Sequence, residues 1–212
     1  MAPQFVPDRE FGANFPSGPP DYLHHPAHRP LSCPTAEGTE TGQGNMRDKD
    51  YLLSLLDYNV WANGEYFKQI RALPADEVDK QRPSLMNSIL ISVNHLLVID
   101  KVWLAHMKGE DHPFEGLQTI LHEDLDDLWA AKTAMDREIR DYVRALDGDG
   151  LEEVIHYELI GGNRGSLPRY LIVTHLAIHG AFHRGFIGDM FGQIPLMPAG
   201  QDIPVWERAS RT

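Results

Sequence analysis

The chain has a single cysteine, Cys33, among its 212 residues. One cysteine cannot form an intrachain disulfide, and it cannot supply the thiolate cluster of a structural zinc site. A metal bound by this chain would therefore be held by histidine, aspartate or glutamate. Such ligands favour borderline divalent ions, namely zinc, nickel, iron or manganese.

Basic residues are neither numerous nor clustered. The formal net charge is −12, and no stretch concentrates Lys and Arg. Because phosphate backbones are bound through basic surfaces, no nucleic-acid partner is expected. The first residues lack the basic start and apolar run of a signal peptide, and no apolar run reaches the roughly 18 residues that span a membrane. We therefore expect a cytoplasmic protein with no membrane partner.

Several common catalytic motifs are also missing. The sequence contains no G-x-x-x-x-G-K-S/T phosphate loop, no dinucleotide fingerprint and no H-E-x-x-H metalloprotease helix. A Glu-x-x-His pair occurs once, at Glu153 and His156. A ferritin-like di-iron bundle needs that pair twice, together with two further glutamates, so a di-iron centre is not expected.

The first 45 residues differ in composition from the rest. They hold more than half of the 15 prolines and almost no aliphatic residues. This composition predicts a disordered, Pro/Gly-rich N-terminal extension over residues 1–45. Regular patterning begins at Met46, and residues 46–212 are predicted to form one globular domain with a C-terminal tail.

Four segments repeat apolar residues at spacings of three and four, which predicts helices. They cover approximately residues 47–72, 84–107, 123–146 and 168–192. Residues 151–167 resemble a short strand with a tight turn, which predicts a hairpin. The sequence therefore predicts an all-α four-helix bundle with a short β-hairpin-like excursion before the last helix. Residues after 192 are expected to form an extended tail, in which residues 203–206 could pack back onto the helices.

Four histidines are candidates for a metal site. His175, His179 and His183 follow one another at four-residue steps in the last predicted helix, so adjacent members share a face and two could hold one ion. His95 lies on the apolar stripe of the second helix, where a buried imidazole needs a partner. Together, His95, His179 and His183 would give three neutral ligands and an open fourth position, as in catalytic metal centres. Two other interpretations stay open: histidines that merely bond one another in a bundle core, and a haem held by two of them.

A metal in such a site could bind water or a thiol, lower its pKa and present the anion as a nucleophile or base. We assign His175 to the surroundings of the centre. His112 and His122 are expected at the surface. Asn59, on the inner stripe of the first helix, is expected to form local hydrogen bonds rather than a contact with the site.

Residues 46 to about 206 resemble the DinB family of the DinB/YfiT-like superfamily. The resemblance is carried by three motifs: Tyr58-Asn59-Val60-Trp61-Ala62-Asn63, Asn94-His95-Leu96-Leu97-Val98-Ile99-Asp100-Lys101-Val102-Trp103, and above all H-x-x-x-H-x-x-x-H-R-G at 175–185. It implies a four-helix bundle, commonly dimeric, with a divalent metal held by His95, His179 and His183. Better-understood relatives are transferases or isomerases that depend on mycothiol, bacillithiol or glutathione.

The resemblance thus implies a thiol-dependent S-transferase. Its three-histidine metal centre would activate a low-molecular-weight thiol or water for attack on a small electrophile, and the protein would act as a homodimer. The alternative is a non-catalytic metal-binding protein of a stress response. Two positions depart from the family pattern, because Ile178 stands where Asn is frequent and Phe186 where Gln is frequent. The proposed ligands are intact, but the pocket wall is more apolar.

Overall fold

Four long helices form the body of the structure. The computed structural model describes residues 44–147, 149–194 and 196–211. The long helices are α1 (Gly44–Arg71), α3 (Ile89–Lys108), α4 (Leu125–Ala145) and α5 (Arg169–Gly192). These bounds confirm the four predicted helices. The predicted N-terminal extension, residues 1–45, lies outside the described residues except for its last two, which begin α1.

Local sequence signals determine where these helices begin and end. The Ser88 side chain accepts a hydrogen bond from the Ile91 N–H and caps α3, which ends at Gly109 in the left-handed conformation with φ 72°. The Asp124 side chain caps α4 by accepting hydrogen bonds from the backbone N–H groups of Asp126 and Asp127. α5 starts directly after Pro168, which suits a helix start because it lacks an N–H donor.

The helices pack in a ring. α1 packs against α4 and α5, and α3 packs against the same two helices from the other side. α3 is the central element, because nearly every residue from Ile89 to Val102 is buried. It is also long and apolar enough to cross a membrane, but 78% of its most apolar window is buried within the bundle, as befits a core helix.

A two-stranded antiparallel hairpin precedes α5, as predicted. It consists of β1 (Val154–Glu158) and β2 (Arg164–Pro168), with Glu158 opposite Arg164 at the turn end. Gly161 and Gly162 form the turn with φ values of 107° and 88°, which residues with a Cβ rarely adopt. Because β2 runs straight into α5, the hairpin fixes the start of the helix that carries three histidines.

Two short helices were not predicted. α2 (Ala75–Val78) follows α1, and α6 (Ile203–Ala209) lies in the C-terminal segment that was expected to be extended. The expectation that residues 203–206 pack back is correct at Trp206, whose ring meets Tyr58 of α1 edge-on at 5.9 Å. The Tyr58 hydroxyl also donates to the backbone oxygen of Gln201 at 2.8 Å.

The bundle interior contains a buried charge cluster. Lys132 of α4 lies 2.8 Å from a carboxylate oxygen of Asp100 of α3 and also contacts Asp136, one turn further along α4. Burial raises the pKa of Asp100 to about 6, although the neighbouring ammonium opposes the shift. A buried ammonium and two carboxylates therefore tie α3 to α4.

Candidate metal centre

Three histidines from two helices meet on one side of the bundle. His95 comes from α3, and His179 and His183 come from successive turns of α5. One possible ligand atom from each lies within 4.8 Å of the others. The ring of His183 is centred 4.4 Å from that of His95 and 4.4 Å from that of His179. The structure thus brings together the three residues that the sequence singles out.

His95 is held in one orientation by a backbone carbonyl. Its side chain is buried, and Nδ1 lies 2.7 Å from the carbonyl oxygen of Leu117. A carbonyl can only accept, so Nδ1 carries the proton and donates it. In the neutral ring Nε2 is then a bare lone pair, and it faces His179 Nε2 at 3.3 Å. Histidines that bind metals commonly have this arrangement.

The two α5 histidines are held in the neutral form. Burial, and then the neighbouring imidazoles of His183, His95 and His175, lower the pKa of His179 to about 2. Burial and His95 lower the pKa of His183 to about 4. Burial also lowers the pKa of His95, against the opposing effect of the Leu117 carbonyl. All three imidazoles are therefore neutral at pH 7, and each keeps one ring nitrogen without a proton.

These residues fit a divalent metal. Two ligands each 2.0–2.1 Å from a tetrahedral zinc ion are about 3.3–3.4 Å apart, and the two Nε2 atoms of His95 and His179 are separated by 3.3 Å. His183 Nδ1 is buried and has no hydrogen-bond partner among the described residues. A buried nitrogen without a partner is costly, and a metal at the centre would relieve part of this cost by engaging His183. The donor set, three imidazoles without a thiolate, suits zinc, nickel, iron or manganese.

His175 lies beside the centre rather than within it. It is half-buried, with its ring 5.4 Å from that of His179 and edge-on to Trp103 at 5.2 Å. It is not among the three residues whose ligating atoms converge. This position agrees with its assignment to the surroundings of the centre.

The remaining histidines of the described chain lie apart from the three. His106 donates from Nε2 to the backbone oxygen of Glu158 at 3.1 Å, and its ring meets that of His112 at 5.2 Å. His112 and His122 were expected at the surface, but both are half-buried because the loop between α3 and α4 folds against the bundle. His156 is exposed on β1, so the lone Glu-x-x-His pair builds no site.

A buried arginine on α5 was not predicted from the sequence. Arg184 follows His183 directly, is 1% exposed, and donates from Nη1 to the side-chain oxygens of Asn59 at 2.6 Å and Asn63 at 2.7 Å. Its Nε donates to Gln201 Oε1 at 2.5 Å. The expectation that Asn59 bonds only locally is therefore wrong. The signal was Asn59 and Asn63, two amides one turn apart on the buried stripe of α1, which needed a donor from another helix.

The outer side of the centre is apolar. Phe182 is 56% exposed and meets the His183 ring edge-on at 5.2 Å and the Phe186 ring at 5.0 Å. Ile178, one turn earlier on α5, is 63% exposed. No charged residue occurs from 170 to 183.

Comparison with known proteins identifies the family of this chain. Residues 46–210 match the sequence model of the DinB family. The chain belongs to the DinB family. It is 21% identical to Protein DinB of Bacillus subtilis strain 168 over 173 residues, which is 77% of this chain and 97% of that protein. Among solved structures it is similar to a DinB-like protein from Bacillus cereus, with a TM-score of 0.49, 14% identity, and coverage of 71% of this chain and 95% of the other.

Proposed function

We propose that this DinB-family chain is a divalent-metal-dependent thiol S-transferase. The observation that supports the proposal best is the centre itself, in which three neutral imidazoles converge and His95 is oriented by the Leu117 carbonyl. Three neutral protein ligands leave a coordination position for another molecule, which distinguishes catalytic centres from closed structural ones.

The chemistry requires an activated nucleophile. A divalent ion held by His95, His179 and His183 would lower the pKa of a thiol or water that occupies the fourth position. In the proposed reaction the thiol sulfur forms a bond to an electrophilic carbon, the leaving group departs with its bonding electrons, and the thiol proton passes to solvent. His179 is half-exposed, which gives the reactants access.

The proposal includes a cytoplasmic location, because low-molecular-weight thiols are kept reduced there. It also includes a homodimer. Leu171, Ile178 and Phe182 are all exposed on α5, and their spacing of seven and four residues places them on one face. Two copies of a chain with net charge −12 repel each other least where they carry no charge, and this face carries none from residue 170 to 183. A second copy is therefore the proposed occupant of this face.

A metal and activity assay tests the function. The protein, loaded in turn with zinc, nickel, iron or manganese, is mixed with glutathione, bacillithiol or mycothiol and a panel of small electrophiles, and the loss of free thiol is followed. We expect metal-dependent turnover that His179→Ala abolishes and His112→Ala preserves. Stoichiometric metal without turnover for any pair of reactants would instead support a non-catalytic metal-binding role. Less than a tenth of an equivalent of bound metal in the folded protein would refute both roles.

A further inference from the structure

Asn94 uses all of its side-chain hydrogen-bonding groups. It precedes His95 on α3 and is fully buried. Its Nδ2 donates to the carbonyl oxygen of Leu90 at 3.1 Å and to that of His122 at 2.9 Å. Its Oδ1 accepts from the backbone N–H groups of Leu121 at 2.8 Å and His122 at 3.0 Å. Three of these four bonds go to the loop between α3 and α4.

The same loop orients His95. The carbonyl of Leu117, which accepts the Nδ1 proton of His95, lies only a few residues before Leu121. Within the described part of the chain, the other side-chain hydrogen bond from residues 117–122 to a different segment is a long contact from the Gln118 amide to the sulfur of Met86, just before α3, at 4.0 Å. Leu117 itself is 46% exposed, so packing of its side chain does little to hold it in place. Among the described residues, the side-chain hydrogen bonds that attach this loop to α3 are therefore those of Asn94 and His95, beside the packing of Leu121 against the core.

We propose that Asn94 is a positioning residue for the metal centre. By holding Leu121 and His122, it keeps the Leu117 carbonyl against His95 Nδ1. That contact places the proton on Nδ1 and leaves the Nε2 lone pair facing His179. Groups that orient a metal-binding histidine through its second nitrogen typically change metal affinity by about 10–100-fold when removed.

Loss of Asn94 would have two separable consequences. The backbone N–H groups of Leu121 and His122 would lose their acceptor, which lowers stability as the loss of any buried hydrogen bond does. The Leu117 carbonyl would also be free to leave Nδ1, and His95 could then carry its proton on Nε2, where it blocks the lone pair needed for a metal. Only the second consequence changes the tautomer of His95.

The chain offers a matched control. Ser92 is also fully buried on α3, two residues before Asn94, and its hydroxyl donates to the Ser88 carbonyl of its own helix at 2.8 Å. Ser92→Ala therefore removes a buried hydrogen bond from the same helix without touching the loop.

The test compares Asn94→Ala, Asn94→Asp and Ser92→Ala with the unmodified protein. The ¹⁵N shifts of the His95 ring are measured in metal-free protein, and zinc affinity is measured by calorimetry. We expect the Nδ1–H tautomer in the unmodified protein and in Ser92→Ala, a mixture of tautomers in Asn94→Ala, and about 10–100-fold weaker zinc binding for that variant. The carboxylate introduced by Asn94→Asp can still accept from the N–H groups of Leu121 and His122. The tautomer population and zinc affinity of this variant should therefore lie between those of Asn94→Ala and the unmodified protein.

Three results would overturn the inference. The first is an Nε2–H tautomer of His95 in the unmodified protein. This measurement does not depend on whether the variants fold. The second is an unchanged tautomer of His95 in both Asn94 variants. The third is a zinc affinity that falls in proportion to the lost folding stability in the Asn94 variants and in Ser92→Ala alike. The inference rests on the proposed metal centre, but the tautomer is measured in metal-free protein. The positioning role of Asn94 can therefore be tested separately from the proposed function. A tautomer that depends on Asn94 in a protein that binds no metal would uphold the positioning role and refute the proposed function.

Discussion

The Nε2 atoms of His95 and His179 lie 3.3 Å apart, across the contact between α3 and α5. Because His95 gives its only ring proton to the Leu117 carbonyl, its Nε2 can act only as an acceptor or a ligand. In the metal-free protein, His179 must donate an Nε2 proton to it. A metal held by His95 and His179 would take the place of this hydrogen bond, and it would require the ring proton of His179 to lie on Nδ1.

Metal loading should raise thermal stability. An ion that binds only the folded chain stabilises it by about 2.7 kcal/mol at a free concentration roughly 100 times the dissociation constant, which for a chain of this size raises Tm by about 5–10 °C. We expect that increase on adding zinc and its reversal by a chelator, measured by calorimetry. His95→Ala should abolish the increase in Tm. His112→Ala should retain it, because His112 lies in the loop between α3 and α4 and outside the centre. An identical Tm with and without metal would show that the histidines only hydrogen-bond one another.

Acid should destabilise the metal-free protein through His183. The unfolded chain takes up a proton near the ordinary pKa of 6.5, whereas the folded chain does so only near pH 4. Stability that is present above pH 6.5 is therefore lost as the pH falls to about 4, by on the order of 3 kcal/mol for this residue. Urea unfolding of the chelator-treated protein at several pH values measures the loss.

His183→Gln is the control for this pH dependence, because it removes the titrating group and keeps a polar side chain. Its stability should fall less steeply than that of the unmodified protein between pH 6.5 and 4. Parallel curves for the two proteins would mean that His183 titrates normally in the folded state.

The sequence was sufficient to predict the helices and the pairing of His179 with His183, because both follow from local spacing. Apolar residues at intervals of three and four define α1, α3, α4 and α5, and His179 and His183 share a face through their four-residue step. Their partner on α3, His95, was identifiable because a buried imidazole on an apolar stripe needs a partner for its ring nitrogens. The short α6 was missed, since it depends on Trp206 packing against Tyr58, a contact between residues far apart in the chain.

The buried charges show a different limit. Lys132 lies on the apolar stripe of α4, four residues after Leu128 and seven before Ile139, so its burial could have been inferred from periodicity. Its partner Asp100 lies on another helix, and no local pattern indicates that pairing. The same holds for the Leu117 carbonyl, because a loop backbone group has no sequence signature that marks it as the partner of His95.

Gly180→Ala should loosen the contact between α1 and α5. A Cβ at this position would clash with Asn59 Oδ1 and come within 2.9 Å of Arg184 Nη1. Both atoms belong to the same buried hydrogen bond, so neither can move freely, and we expect a loss of about 1–3 kcal/mol in the free energy of unfolding. Zinc affinity should also fall, because α5 carries two of the three proposed ligands.

Gly185→Ala is the matched control on the same helix. A Cβ at Gly185 meets no atom within 4 Å, so the change should be neutral or stabilise the protein by up to about 1 kcal/mol through helix propensity. Equal effects of the two substitutions in urea unfolding would contradict the steric explanation for Gly180.

Charges on the outer face of α5 should separate the proposed dimer. Phe182→Glu and Ile178→Glu place carboxylates on a face that is otherwise uncharged, and paired copies would then bring like charges together. We expect light scattering to show a dimer for the unmodified protein and a monomer for each variant. Leu159→Glu, at an exposed leucine in the hairpin turn, should leave the dimer intact. A monomeric unmodified protein would remove the second copy as the occupant of this face.

Lys132→Met should be among the most destabilising single changes in the bundle. It leaves Asp100 and Asp136 buried close together without the ammonium that contacts both. Removing one partner of a buried ion pair costs about 3–5 kcal/mol. Lys108→Met is the control, because Lys108 and its partner Glu138 are 29% and 49% exposed, respectively, and this change should cost less than about 1 kcal/mol.

The pH dependence identifies the cause of this loss. Without Lys132 the pKa of Asp100, which is already raised to about 6, should rise further. The folded variant then binds a proton that the unfolded chain releases near its ordinary pKa of 3.8, so Lys132→Met should regain stability relative to the unmodified protein as the pH falls from 7 to 4. The triple change Asp100→Leu, Lys132→Met and Asp136→Leu, which removes every charge of the cluster, should recover most of the loss at pH 7. If urea unfolding gives the same deficit for Lys132→Met at pH 4 and pH 7, lost packing rather than uncompensated charge explains the destabilisation.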